Sequence, residues 1–192
     1  MEFANLERDA LVRSEYDEES MDVFEWNFIA ASAFLTEGYQ GGYAKEEVLR
    51  GYMTSVKILY DAFYKRSHPA PYTYELYNDQ SYIPLLFLCR HTLELAVKYL
   101  YGISELPEPT GHRIRKLWRE LEPNLTLPLE DREGIGVFLD VIDLLDQDGC
   151  HMRYATDRNN EPYQKEPLYV RIDGIVDLTC QFTAAALQKN WM

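Results

Sequence analysis

The chain has 192 residues, a formal net charge of −13, and 46% hydrophobic with 14% aromatic residues. This composition excludes a disordered chain, and the length predicts one domain. The acidic balance excludes a protein that coats nucleic acid with its whole surface, because neutralising phosphates requires lysine and arginine. Cys89, Cys150 and Cys180 stand far apart in an odd number. They predict neither a disulfide framework nor a zinc site, and they favour a reducing cytoplasm.

The N-terminal 19 residues predict an acidic, solvated arm, followed by a single helical domain over residues 20–192. Acids greatly outnumber arginines in this first segment. The chain begins with neither the basic segment nor the apolar run of a signal peptide. No membrane span is predicted either, because the most apolar helix carries Arg90, Glu94 and Lys98 in its middle.

Apolar residues recur every three to four positions through most of the chain, which predicts an all-α antiparallel bundle of about five to six helices. Thr110 is the expected N-cap of the fourth helix, and residues 169–172 are the only strand candidate. The third helix is apolar nearly all round and should lie at the centre. The predicted helices cover, approximately, residues 20–37, 48–67, 81–101, 112–121, 130–146 and 172–190.

A polar line crosses the third predicted helix, formed by Arg90, Glu94 and Lys98 with His91 beside it. The i,i+4 spacing lets each side chain contact the next. One interpretation is a solvated face with ion pairs. The other is a polar line that points into a shared cleft.

The segment after the fifth predicted helix contains several side chains that can bind a ligand or transfer a proton: His151, Arg153, Tyr154, Asp157 and Arg158. A guanidinium can hold two phosphate oxygens in a fork, and an imidazole can move a proton near neutral pH. This loop is therefore the strongest candidate for a phosphate-handling site.

Several other chemistries are disfavoured by spacing. The sequence contains no phosphate-binding G-x-x-x-x-G-K-[ST] loop, no G-x-G-x-x-G, no H-E-x-x-H and no G-x-S-x-G. The four histidines share no metal-ligand spacing, so we expect no metal and no cofactor. Asp140, Asp143 and Asp146 favour a solvated acidic face over a cation site. A Cys150 nucleophile beside His151 is disfavoured, because adjacent side chains rarely point at one another.

Three blocks of sequence, residues 88–100, 111–118 and 152–157, resemble the helical pattern of the HEPN-domain superfamily. The resemblance covers about residues 44–190 and leaves out the arm and the first predicted helix. It implies a compact antiparallel helical bundle that is commonly dimeric. It also implies relatedness to metal-independent endoribonucleases of toxin, abortive-infection and CRISPR systems.

The resemblance places Arg153 where the ribonucleases of this superfamily have an arginine followed four to six residues later by a histidine. In this chain no arginine has a histidine at that spacing. Loss of the imidazole base would remove a step ordinarily worth about 10² to 10⁴-fold in rate. His151 or His112 would have to replace it, if the fold brings either beside Arg153.

The predicted function is a non-catalytic RNA- or partner-binding module of a prokaryotic defence or toxin-related system. The alternatives are a metal-independent endoribonuclease with a rearranged site and a purely structural or oligomerisation protein, in which Arg153 pairs with Glu94 or Asp157. We expect a homodimer, and an RNA or a protein from the same operon as partner. The catalytic candidates are His112, His151 and Arg153. The ligand-binding candidates are Arg90, Glu94, His112, Arg153, Tyr154 and Arg158.

Overall fold

The computed structural model describes residues 3, 6–13, 27–29, 45–67, 81–107, 109–154, 156–157, 159–162 and 168–191. Most of these residues are helical, which confirms the predicted all-α bundle. The helices are α1 (Lys45–Ser67), α2 (Tyr82–Ile103), α3 (Ile114–Leu121), α4 (Leu129–Leu145) and α5 (Ile172–Leu187). Among the described helices none is sufficiently long and apolar to cross a bilayer.

Helix α2 lies at the centre of the bundle, as its nearly continuous apolar surface predicts. It packs against α1, α3 and α5. Leu85, Leu93 and Val97 are fully buried along its length. At one end of the core, three rings meet edge to face or tilted, with centroids 5.0 to 6.2 Å apart: Trp118, Phe182 and Trp191.

Helix α3 corresponds to the fourth predicted helix. It begins two residues later than predicted, at Ile114, and Thr110 does not cap it. Gly111 turns the chain with a φ of +101°, and the N-cap position is Arg113, which is extended and makes no side-chain cap. The first turn of α3 faces the Asp143 carboxylate of α4, and the Arg115 N–H acts to lower the pKa of Asp143.

A small antiparallel sheet lies beside the helices, with β3 (Leu168–Val170) between β1 (Val12–Arg13) and β2 (Asn27–Ile29). The single strand candidate is confirmed at Leu168–Val170, while Ile172 already belongs to α5. The predicted first helix is wrong where it can be compared, because Asn27–Ile29 pairs with β3. Pairing with an available strand outweighed a helical apolar period over these residues. The rest of that predicted helix lies outside the described residues.

The described part of the N-terminal arm packs its apolar residues into the core, while its charged residues Glu7, Arg8 and Asp9 are exposed. Phe3, Leu6, Leu11 and Val12 are all buried, and the Phe3 ring lies 5.8 Å from the ring of Phe138 on α4. The prediction weighed the acids of this segment and overlooked its few apolar residues. Their burial is worth about 1.5 to 3 kcal/mol per large side chain, enough to hold a charged segment in place.

A substitution at Gly134 on α4 tests whether the N-terminal arm packs on this helix, because a Cβ there would collide with the carbonyl oxygen of Phe3. We expect Gly134→Ala to lower the free energy of unfolding by about 1 to 3 kcal/mol through this overlap. Gly102→Ala is the matched control, since nothing lies within 4 Å of its Cβ position. Chemical denaturation measures both. If the arm did not dock, Gly134→Ala would stabilise the helix as Gly102→Ala does.

Candidate functional site

The guanidinium of Arg90 is buried, with 2% of the residue exposed, and all three of its nitrogens donate hydrogen bonds. Nε donates to the carbonyl oxygen of Asp146 at 2.7 Å. Nη1 donates to the Glu94 carboxylate at 2.9 Å, and Nη2 to the carbonyl oxygen of His112 at 2.5 Å. One side chain therefore joins α2, the segment before α3 and the end of α4.

The geometry of α4 explains why Asp146 receives this bond. The helix ends at Leu145, and Asp146 leaves it with φ −157° and ψ 87°. Carbonyl groups in the last turn of a helix have no intrahelical donor. Arg90, which reaches this position from a neighbouring helix, supplies one.

Glu94 is a buried carboxylate with cationic partners on several sides. Its Oε1 accepts hydrogen bonds from Lys98 Nζ at 2.7 Å and lies 2.9 Å from His112 Nδ1, while Oε2 accepts from Arg90. Burial acts to raise the pKa of Glu94, but the bonds from Lys98, Arg90 and His112 outweigh it and lower the pKa to about 2. Glu94 is therefore a fixed anion at neutral pH. The ion pairs expected for this polar line exist, but the solvated-face interpretation is wrong for Arg90 and Glu94.

The imidazole of His112 combines a buried anchor with an exposed ring. Its side chain is 65% exposed, although Nδ1 is within hydrogen-bond distance of the buried Glu94. When Nδ1 carries the proton and donates to Glu94, Nε2 is left as an acceptor toward solvent. A ring held in this way can accept a proton, or bind an anion once protonated.

Asp146 fixes the start of the loop that follows α4. The residue is fully buried, and its Oδ1 accepts the backbone N–H of His151 at 3.0 Å. Its Oδ2 has no hydrogen bond and lies 3.8 Å from Arg90 Nε. Burial raises the pKa of Asp146, and the Arg90 charge and the His151 N–H act against that rise.

Arg153 folds back over its own loop. Its Nε donates to the carbonyl oxygen of Gly149, and Nη2 lies 3.8 Å from the sulfur of Cys150. The guanidinium also lies over two rings, 5.7 Å from the centroid of Phe87 and 5.6 Å from that of Tyr154. The hydrogen bonds of Arg153 therefore go to its own loop and not to Glu94 or Asp157, the partners that the purely structural alternative gave it.

Gly149 lies where the guanidinium groups of Arg90 and Arg153 approach each other. Its φ of +80° favours glycine, and a Cβ there would lie 3.3 Å from Arg90 Nη1 and 3.5 Å from Arg153 Nη2. We call the set Arg90, Glu94, Lys98, His112, Asp146 and Arg153 the arginine cluster. It contains three permanent cations and two carboxylates, and two more carboxylates, Asp143 and Asp148, lie beside it.

The remaining candidates lie at the edge of this arrangement. His151 is half-buried and Tyr154 is 42% exposed, while Arg158 lies outside the described residues. His91 packs against Tyr52 and Phe87, with ring centroids 4.8 and 6.0 Å away, and burial lowers its pKa. Within the described part of the chain, no group of three or more histidine, cysteine or acidic residues is arranged to hold a metal ion.

Sequence reasoning missed Asp146, Gly149 and Phe87 as members or neighbours of the site. The only available signal for Gly149 was its place at the end of a helix, which also suits an ordinary C-cap. Asp146 was interpreted as part of an acidic face. Its contact with Arg90 spans 56 residues, and no local pattern encodes it.

Comparison with protein families matches residues 72–179 to the HEPN domain. The match covers more than half of the chain and includes the whole arginine cluster. No curated protein and no solved structure matches the chain.

Asp143 makes the stability of this region depend on pH. It lies one turn before Asp146, and its Oδ1 is buried without a hydrogen bond. Burial raises the pKa of Asp143 to about 6, although the Arg90 charge and the Arg115 N–H act to lower it. Because the folded state holds this proton more tightly than the unfolded state, Asp143 favours folding below pH 4 and loses that contribution as the pH rises to about 6.

We therefore expect Asp143→Asn to gain stability relative to the wild type between pH 4 and pH 7. The change should be on the order of 1 kcal/mol once solvent screening is allowed for. Urea denaturation at several pH values measures it, with Asp61→Asn on the exposed side of α1 as control. Parallel curves for the wild type and Asp143→Asn across this range would contradict the assignment.

Proposed function

The chain belongs to the HEPN domain family, and from this premise we propose that it is a non-catalytic binding module whose ligand is the phosphate backbone of RNA. The observation that supports the proposal most directly is the half-buried guanidinium of Arg153, which lies over Phe87 and Tyr154 and beside the buried Arg90. We further propose that the module acts in the cytoplasm, within a prokaryotic defence or toxin-related system.

Two features favour an anionic ligand. Among the described residues, the guanidinium of Arg153 is hydrogen-bonded to the carbonyl oxygen of Gly149 and to no carboxylate, and the imidazole of His112 is exposed. Arg113, Lys116 and Arg119 are also exposed, and no acid occurs between Pro109 and Arg119. A concentrated basic surface on an acidic protein directs a polyanion to one place and repels it elsewhere.

The hydrogen bonds of the cluster favour binding over cleavage. Cleavage needs a base at the ribose 2′-OH and a cation at the phosphate, placed together. The contacts of Arg153 lie within its own loop and with Phe87, and do not include the ring of His112. Arg90 reaches only the main chain of His112.

A second candidate function is supported by the Glu94–His112 pair. A buried carboxylate 2.9 Å from Nδ1 resembles the arrangement that orients a catalytic imidazole. In that case Nε2 of His112 would take the proton of a ribose 2′-OH, and the 2′-oxygen would attack the adjacent phosphorus. The 5′-oxygen would leave with a proton from solvent, so that the products end in a 2′,3′-cyclic phosphate.

Self-association is a further part of the proposal. Ile58 on α1 and Leu129 on α4 are large apolar residues with about two thirds of their surface exposed, and aromatic residues, which interfaces favour, are abundant. We propose a homodimer, with an RNA or a protein from the same operon as its partner.

The choice between binding and cleavage can be tested by incubating the pure protein with RNA in EDTA. We expect a shift in fluorescence anisotropy, which reports binding, and intact RNA on a denaturing gel. Cyclic-phosphate products that disappear in His112→Ala would instead establish the endoribonuclease.

Arg153→Lys tests whether this arginine contacts phosphate. Lysine keeps the charge but loses the fork, so RNA affinity should fall about tenfold while the melting temperature stays near that of the wild type. Arg50→Lys is the matched control, because Arg50 forms an exposed ion pair with Glu46 on α1. Unchanged affinity in Arg153→Lys would remove Arg153 from the binding site.

A further inference from the structure

A groove of about 350 Å³ lies between the segment that follows α2 and the exposed side of α3. It is separate from the loop of Arg153. Its lining residues are Tyr101, Leu106, Pro107, Pro109, Thr110, Lys116 and Glu120.

The two sides of this groove differ in chemistry. One side presents Pro107 and Pro109, whose rigid rings suit the face of a flat ligand. The other side, on α3, presents Lys116 and Glu120, with Nζ and Oε1 3.9 Å apart and both side chains more than half exposed. A flat ligand that packs on the prolines would therefore have a donor and an acceptor at its edge.

Tyr101 lines the groove, and its hydroxyl already has a hydrogen-bond acceptor within the protein. Its hydroxyl donates to the carbonyl oxygen of Leu117 at 2.9 Å. Burial raises the pKa of Tyr101, and the neighbouring Glu120 carboxylate raises it further. The phenol therefore stays neutral, and Glu120 is placed close to Tyr101 inside the groove.

The approach to the groove is basic. From Thr110 the chain continues into His112 and Arg113, both exposed. The position of His112 is fixed because Arg90 donates to its carbonyl oxygen and Glu94 contacts its ring. Two basic residues, His112 and Arg113, thus lie two and three positions beyond Thr110, which lines the groove.

We propose that this groove binds one unstacked nucleotide of a single-stranded RNA. The base packs on Pro107 and Pro109, its edge meets Lys116 and Glu120, and the exposed basic residues that follow Thr110 in the chain attract its phosphate. Unstacked bases with exposed edges are the usual targets of sequence-specific RNA recognition. The inference rests on the proposed RNA binding and goes beyond it by naming a base-reading site.

The Lys116–Glu120 pair favours guanine. Guanine presents two neighbouring N–H donors, N1 and N2, to one carboxylate, and its O6 accepts from an ammonium group. Adenine and uracil present no such double donor on their pairing edges. Glu120 should therefore determine the base preference, while Lys116 should add affinity for every sequence.

Fluorescence anisotropy with two labelled pentanucleotides tests the proposal, one of uridine with a central guanosine and one with a central adenosine. We expect the wild type to prefer the guanosine strand about tenfold. Glu120→Gln should reduce that preference, and Lys116→Ala should weaken binding to both strands. Lys57→Ala, which removes an exposed lysine of α1, should bind as the wild type does.

The outcomes separate the two proposals. If Lys116→Ala and Glu120→Gln bind both strands like the wild type, the groove is not the base site, while the proposed RNA binding stands. If the wild type binds RNA without any guanosine preference, the assignment of Glu120 is wrong. If the wild type binds neither strand, both proposals are wrong. Melting temperatures verify that the exposed substitutions leave the fold intact.

Discussion

The buried guanidinium of Arg90 is the constraint on which the rest of the site depends. A permanent charge removed from water costs several kcal/mol unless it is paired and hydrogen-bonded. Arg90 is 2% exposed, so α2 can occupy the centre of the bundle only if acceptors surround that group. Glu94 supplies one from the same helix, and the main chain of two distant segments supplies the others.

This requirement links stability to the placement of functional groups. Because the carbonyl oxygens of His112 and Asp146 are fixed by Arg90, the start of α3 and the loop after α4 are held at one side of α2. His112 consequently has a buried anchor and an exposed ring. Gly149 leaves room for Arg153 beside Arg90, whose own charge is paired with Glu94.

The helices could be predicted from the sequence because their apolar periods are long and regular. The start of α5 at Ile172 and the end of α3 at Leu121 agree with the prediction. The prediction of a helix across Asn27–Ile29 was wrong because the pairing partner of β2 lies about 140 residues further along the chain. A short apolar stretch is compatible with either structure until its tertiary partner is known.

The candidate site was only partly predictable. Arg90, Glu94 and Lys98 were recognised as a line at i,i+4 spacing, but that spacing is the same for a solvated face and for a buried ion pair. The acceptor role of Asp146 depends on a helix ending beside α2, which is a tertiary fact. Arg153 was identified as chemically important, yet its contacts with Gly149 and Phe87 follow from the loop's path and not from any motif.

A double-mutant cycle of Arg90→Met and Glu94→Gln tests the central claim most directly, with the free energy of unfolding measured by urea denaturation. Each single substitution leaves a buried group without its partner and should cost about 3 to 5 kcal/mol. The double variant should lose less than the two single losses combined, by about 1 to 3 kcal/mol, because the two groups act as one unit. Losses that add to within about 0.5 kcal/mol would contradict the account, since Arg90 would then not depend on Glu94.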